Sequence, residues 1–174
     1  MNITLAQLLL SRDERVAFQQ DWLEKHPACS LVCLTVQLPG PEKRNAVSLA
    51  IGKAGLEALR RRFPDGLICE KDLETGYEAY FSVSASPLEV KRICCEVEET
   101  HPLGRLMDID VIGADGPVSR EAVGREPRRC LLCGHEVRYC MRAKKHTTEE
   151  LLSHIRHMVK TYADCASISW EIGN

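Results

Sequence analysis

Asp108 and Asp110 stand two residues apart in an apolar run, Arg105 to Ile112. Strand side chains alternate, so this spacing sets both carboxylates on one face and turns Ile109 and Val111 to the other. Two like charges held that close repel unless a cation lies between them. A hard divalent ion such as Mg²⁺ is the natural partner, because it bridges carboxylates to phosphate oxygens. The pair is the candidate catalytic and metal-binding centre. A solvated strand face would carry the same spacing; the apolar flanks favour a pair projecting from a core strand.

A second constellation follows at Cys130, Cys133, Cys140 and His146. Cys-x2-Cys is a zinc-knuckle spacing, and three thiolates with one imidazole complete a tetrahedral Zn²⁺ site. His135 is an alternative fourth ligand, and free, packed thiols are the other reading. The cluster lies in a basic stretch. Between Arg120 and Lys145 eight Arg or Lys face three Glu, a local charge of +5 in a chain of net charge −2. Arginine forks match phosphate oxygens, which marks Arg105, Arg129 and Arg142 as candidate phosphate ligands. Pro39-Gly40-Pro41-Glu42-Lys43 precedes a helix, whose free N–H groups together with Lys43 would suit an anion. It lacks the glycine spacing and GK[ST] end of a P-loop.

These residues need elements to hold them. Ser11 and Glu14 have capping-box spacing and open an N-terminal helix that Pro27 ends. Residues 29–38 (CSLVCLTVQL) read as a buried strand and 44–63 as a helix. Residues 67–70 form a short strand, Thr75-Gly76 a hairpin turn and 78–85 a strand. Ser86-Pro87-Leu88-Glu89 starts a helix that runs to about Thr100, and Arg105 to Ile112 is the next strand. Thr147 and Glu150 cap a last helix, 147–163. From residue 29 the order is strand, helix, strand, strand, helix, strand. It predicts one α+β domain over 1–174, a two-layer, ferredoxin-like arrangement with helices on one face of a mixed or antiparallel sheet. The Cys- and Arg-rich segment 118–146 is appended to it.

Composition narrows the function. With 174 residues and 44% hydrophobic content, the chain can bury one real core. A net charge of −2 argues against nucleic acid as the main partner. Near the start, Leu8-Leu9-Leu10 is too short for a signal peptide or membrane span, so the expected location is the cytoplasm. Nine cysteines, an odd number, do not suggest a disulfide framework there.

Taken in order, Arg105-Leu106-Met107-Asp108-Ile109-Asp110, Arg129-Cys130-Leu131-Leu132-Cys133, Cys140-Met141-Arg142 and His146 resemble the holo-citrate lyase synthase family. Leu38-Pro39-Gly40-Pro41 with Lys43, and Thr75-Gly76 with Glu78, are similar too. The resemblance implies a nucleotidyltransferase-type enzyme. Its substrate would be 2'-(5''-triphosphoribosyl)-3'-dephospho-CoA, and it would move the phosphoribosyl-dephospho-CoA part to a serine of the acyl-carrier (γ) subunit of citrate lyase, releasing pyrophosphate. Neither nucleic acid nor membrane is an implied partner. A related synthase, acting on the malonate decarboxylase carrier, resembles polymerase-β-type nucleotidyltransferases, which makes a nucleotidyltransferase palm the second fold expectation. Those enzymes place a Gly-Ser turn ahead of the paired aspartates and a third carboxylate beside them. Here Gly104 is the nearest glycine, and Glu78 and Asp115 are the candidates for the third carboxylate. Two other readings use the same residues: a zinc-knuckle nucleic-acid-binding protein, and a non-catalytic adaptor docking on an acyl carrier protein.

Overall fold

In the computed structural model, residues 3–36 and 38–166 are described. The central strand β1 (Ser30–Val36) is buried at all seven positions. Its sequence is apolar at both parities, so both faces must be covered. Val32, Leu34 and Val36 face one layer, with Ala79, Phe81, Ile109 and Val111 from neighbouring strands. Leu31 and Cys33 face the other, with Tyr80.

Around β1 stand β2 (Leu67–Leu73), β3 (Gly76–Val83), β4 (Asp108–Gly113) and β5 (Gly116–Pro117). The sheet is antiparallel, in the order β2-β3-β1-β4-β5. Helices α2 (Ala46–Arg62) and α3 (Pro87–Thr100) join β1 to β2 and β3 to β4, and both pack on the Leu34 face. Ile155 and Val159 of α5 (Thr148–Ala166) extend the same core. A short helix, α4 (Val137–Arg142), lies in the Cys-rich segment. Gln37, at the end of the expected strand 29–38, and residues 167–174 of the expected single domain lie outside the described residues. Among the described residues no helix is long and apolar enough to cross a membrane.

The expectation of helices on one face is corrected by α1 (Leu5–Lys25). Its Phe18, Trp22 and Leu23 pack on Leu31, Cys33 and Tyr80, the opposite face. The Phe18 and Tyr80 rings meet at 4.4 Å. The Ser11–Glu14 capping box is also corrected. Thr4 caps α1, with Gln7 returning the bond. Ser11 lies inside the helix, buried, 2.8 Å from Thr75 Oγ1 at the β2–β3 turn. The polar pair that looked like a cap ties α1 to the sheet.

β4 begins three residues later than expected, at Asp108. Gly104–Leu106 form a 3-10 turn against the end of α3. A Cβ on Gly104 would lie 2.5 Å from the Glu98 carbonyl oxygen, so only glycine lets the chain pass that close. The turn delivers Asp108 to the first position of the strand, opposite Thr35 of β1. Ile109, beside it, is fully buried. Ile109→Ala is expected to cost roughly 2–5 kcal/mol, read as a lower urea midpoint with an unchanged slope.

Candidate active site

β4 has a short partner on its outer side, since β5 pairs with Ile112 and Gly113 only. Beyond that pairing, the Val118 N–H donates to the Val111 carbonyl at 2.8 Å, and the edge groups of Ile109 are bonded by side chains. The Ile109 N–H donates to Glu98 Oε1 at 3.0 Å. Lys91 Nζ donates to the Ile109 carbonyl at 2.8 Å. Two side chains of α3 thus take the place of a neighbouring strand at Ile109.

Glu98 is 3% exposed. A buried carboxylate needs compensation. Besides Ile109 it accepts from Arg120 Nη1 and Arg128 Nη2. Arg120 also bonds Glu99 at 2.8 Å, and Arg125 pairs with Glu99 at 3.1 Å. Arg128 reaches on to Asp108 Oδ1 at 3.3 Å. Glu98 therefore anchors the basic segment beside the aspartates.

Asp108 and Asp110 project from β4 on the face that α1 partly covers, opposite Thr35 and Cys33. Asp108 is 52% exposed at its side chain. The Asp110 carboxyl is pushed above its ordinary range, first by loss of water around it and next by the charge of Asp108; Lys91, Arg128 and Arg15 pull it back. With Lys91, Arg120, Arg128 and Arg138, the two carboxylates line a cavity of about 430 Å³. Asp110 also faces a groove of about 670 Å³ between α1 and the β4–β5 hairpin, lined by Val16, Leu23, Ile112 and Pro117. Glu121 and Glu136 line the same cavity, so four carboxylates stand among four cations. The close Asp108–Asp110 pair offers oxygen donors for a hard divalent ion, and the cations offer donors for a polyphosphate.

A third cavity, about 600 Å³, shares Arg128 and Val137 with the first. Leu131, Met141 and Leu151 give it an apolar wall, and Arg105, Arg129 and Lys144 supply charge. Arg105 donates to the Arg129 carbonyl, and Arg129 Nη1 donates to the Gly134 carbonyl at 3.3 Å. Arg142 ends α4, exposed on the surface. Lys43 lines neither cavity, and its ammonium donates to the Leu38 carbonyl beside α1. Its pKa is lowered by burial and by nearby Arg12.

Glu78 lies in the same cross-strand row as Asp108, with Thr35 between them. It is 4% exposed and already engaged. Arg15 holds Oε1 at 2.9 Å and the Tyr80 hydroxyl donates to Oε2 at 2.5 Å. Asp115 is exposed at the β4–β5 turn. Thr35 Oγ1, between Glu78 and Asp108, is buried and has no protein partner. Cys33, opposite Asp110, is pushed up to about 12 by burial, so it stays a thiol.

The Cys-rich segment gathers as its spacing implied. Ligand atoms of Cys130, Cys133, Cys140 and His146 all lie within 4.8 Å of one another. His135 is not in this group; its ring packs on Tyr139 at 5.5 Å. Burial and the neighbouring thiols raise Cys140 to about 12.

Sequence reasoning missed Glu98, Lys91 and Thr35, and it did not single out Arg120 and Arg128 from the basic run. Spacing held one usable signal. Lys91 and Glu98 lie seven apart, on one face of a helix otherwise facing the core. Glu98→Gln is expected to lower stability by roughly 3 kcal/mol, because two arginines lose their buried partner. Chemical denaturation measures it, and an unchanged midpoint would remove Glu98 from this role. Thr35→Val should leave the midpoint unchanged or raised, since the hydroxyl makes no protein hydrogen bond to lose.

Known proteins are similar to this chain along most of its length. Residues 3–162 match the family described as apo-citrate lyase phosphoribosyl-dephospho-CoA transferase. A Vibrio cholerae serotype O1 (strain M66-2) protein named "Probable apo-citrate lyase phosphoribosyl-dephospho-CoA transferase" is 39% identical over 176 residues, covering 95% of this chain and 97% of its own. An Escherichia coli O1:K1 / APEC protein named "Apo-citrate lyase phosphoribosyl-dephospho-CoA transferase" is 37% identical over 169 residues, covering 94% and 92%. With a family match along most of its length and relatives this similar, the chain belongs to the apo-citrate lyase phosphoribosyl-dephospho-CoA transferase family.

Proposed function

We propose that this chain moves the phosphoribosyl-dephospho-CoA part of 2'-(5''-triphosphoribosyl)-3'-dephospho-CoA onto a serine of the citrate lyase acyl carrier subunit, with pyrophosphate as the leaving group. The observation that carries this reading is the juxtaposition of Asp108 and Asp110 with Lys91, Arg120, Arg128 and Arg138 around one cavity. Four cations match a triphosphate, and the four carboxylates among them, Glu121 and Glu136 included, would oppose it unless a metal cation bound beside the aspartates.

Asp108 and Asp110 fit a hard cation by their donor chemistry, and Mg²⁺ bound there would neutralise phosphate oxygens. The remaining roles belong to the chain. Arg128, held between Glu98 and Asp108, is aimed at the phosphate nearest the aspartates. Arg120, on the same carboxylate, and Arg138 stand where the pyrophosphate charge develops as the phosphorus–oxygen bond breaks. The adjoining cavity, with its Leu131, Met141 and Leu151 wall and its Arg105, Arg129 and Lys144 charges, suits an adenosine carrying a phosphate. The carrier serine is the nucleophile in this scheme, in keeping with Cys33 held as a thiol.

The β-α-β-β-α-β order with strand order β2-β3-β1-β4 supports the ferredoxin-like reading over a polymerase-β palm. Glu78 sits two strands from Asp108 and is occupied by Arg15, which weakens it as a third metal ligand. Belonging to a transferase family speaks against the non-catalytic adaptor.

The test is to incubate the chain with apo-carrier, the triphosphoribosyl precursor and Mg²⁺, then weigh the intact carrier. The expected result is a mass gain of one phosphoribosyl-dephospho-CoA group with pyrophosphate released. An unmodified carrier, beside a working enzyme as control, would overturn the reading. Asp108→Asn and Asp110→Asn should each lower the rate at least about a hundredfold, the scale of losing one transition-state charge contact. Asp110→Asn carries a second expectation. A carboxyl with a raised folded pKa adds stability at low pH, lost as pH climbs from the ordinary 3.8 through the raised value. At neutral pH the metal-free variant should thus melt at or above the wild-type temperature, and a lower melting temperature would contradict the repulsion described here.

A further inference from the structure

Among the described residues of segment 128–146, Leu131 alone packs against the main hydrophobic core, yet the segment has a defined path. Arg129 and Glu136 form an isolated antiparallel bridge. The Cys130 N–H donates to the His135 carbonyl at 2.6 Å, and the Val137 N–H to the Arg128 carbonyl at 2.9 Å. The hairpin turns through Gly134, directly after Cys133, at φ +70°, a conformation glycine adopts without strain. A tight hairpin with glycine directly after the second cysteine is the chain path of a Cys-x2-Cys metal knuckle.

The other two ligands come from beyond the knuckle. Cys140 lies on α4, and its Sγ is 3.4 Å from that of Cys133. His146 directly precedes the Thr147 cap of α5, and its Nε2 is 3.2 Å from Cys133 Sγ. Cys130 and Cys140 are each 6% exposed. The four donor atoms lie within 4.8 Å of one another. Donor atoms gathered that closely suit tetrahedral Zn²⁺, whose bonds run about 2.3 Å to sulfur and about 2.0 Å to nitrogen. Three soft sulfurs and one imidazole select zinc over the hard ions suited to Asp108 and Asp110.

We propose that Cys130, Cys133, Cys140 and His146 hold a structural Zn²⁺ ion, distinct from the aspartate centre, which clamps the 128–137 hairpin to α4 and the start of α5. Arg128 is two residues from Cys130, so the clamp also fixes the arginine that spans Glu98 and Asp108. All four coordination positions are filled by protein, which leaves none for substrate and makes the ion structural.

The test reads metal rather than transfer. The full chain, produced with zinc in the medium, should carry about one zinc per chain by elemental analysis, the content of one four-ligand site. Cys133→Ser and Cys140→Ser should lose it, whereas Cys69→Ser, on β2, should keep it. His146→Cys should keep it too, because thiolate replaces imidazole at zinc. Should the two serine variants fail to fold, the second measurement uses the wild type. Metal-free chain titrated with Co²⁺ should develop the visible absorption of tetrahedral cobalt–thiolate, and Zn²⁺ should bleach it. The proposal is overturned by a folded wild type without zinc that leaves Co²⁺ octahedral. Zinc retained by both serine variants overturns it equally, as does a metal-free Cys133–Cys140 disulfide in the native protein, seen as a mass two hydrogens lighter.

Discussion

Glu98 is a carboxylate in a nearly dry position at the end of α3, where an unpaired charge would cost several kcal/mol. Its pKa is raised by that burial, against the pull of Arg128, the Ile109 N–H, Lys91 and Arg120. Each group that offsets the charge is also part of the site. The Ile109 N–H belongs to the strand that carries both aspartates. Arg120 and Arg128 belong to the basic segment and enter the cavity those aspartates line. The requirement to neutralise one side chain thereby fixes three pieces of chain against each other: α3, the free edge of β4, and residues 120–128.

A comparable arrangement holds the other side of the sheet. Glu78 is buried beneath α1 and is neutralised by Arg15, while Phe18 and Trp22 of the same helix cover Leu31 and Tyr80. Between Glu78 and Asp108 lies Thr35, with its hydroxyl unbonded. The row Glu78, Thr35, Asp108 therefore runs from a fully paired carboxylate to a solvent-facing one, and α1 stops short of covering it. The aspartates stay open because the helix that could bury them spends its apolar face on β1 and β3.

Much of this was legible in the chain. The alternation in Asp108-Ile109-Asp110 gave the face of both carboxylates, since strand periodicity is local. The Cys-x2-Cys spacing gave the knuckle for the same reason, and His146 over His135 was decided by chain folding that spacing cannot encode. What was not legible depends on contacts distant in sequence. Ser11 carries the signature of a helix cap, but its partner is Thr75, 64 residues on. The cover on the second face of β1 was implicit in a strand apolar at both parities, yet nothing local said which helix supplies it. Lys91 and Glu98 look like ordinary polar positions on α3 until β4 is laid beside them with an edge to bond. Lys43, attractive beside a helix start, spends its ammonium on the Leu38 carbonyl.

The central claim is that the Asp108–Asp110 pair and the cations around it form one metal-dependent phosphate site. Calorimetric titration of inorganic tripolyphosphate, with and without Mg²⁺, into the wild type and Asp110→Asn tests it most directly. The account predicts that Mg²⁺ strengthens binding to the wild type at least about tenfold, a change of about 1.4 kcal/mol, and leaves binding to Asp110→Asn unchanged. Equal affinity with and without Mg²⁺ in the wild type would contradict it.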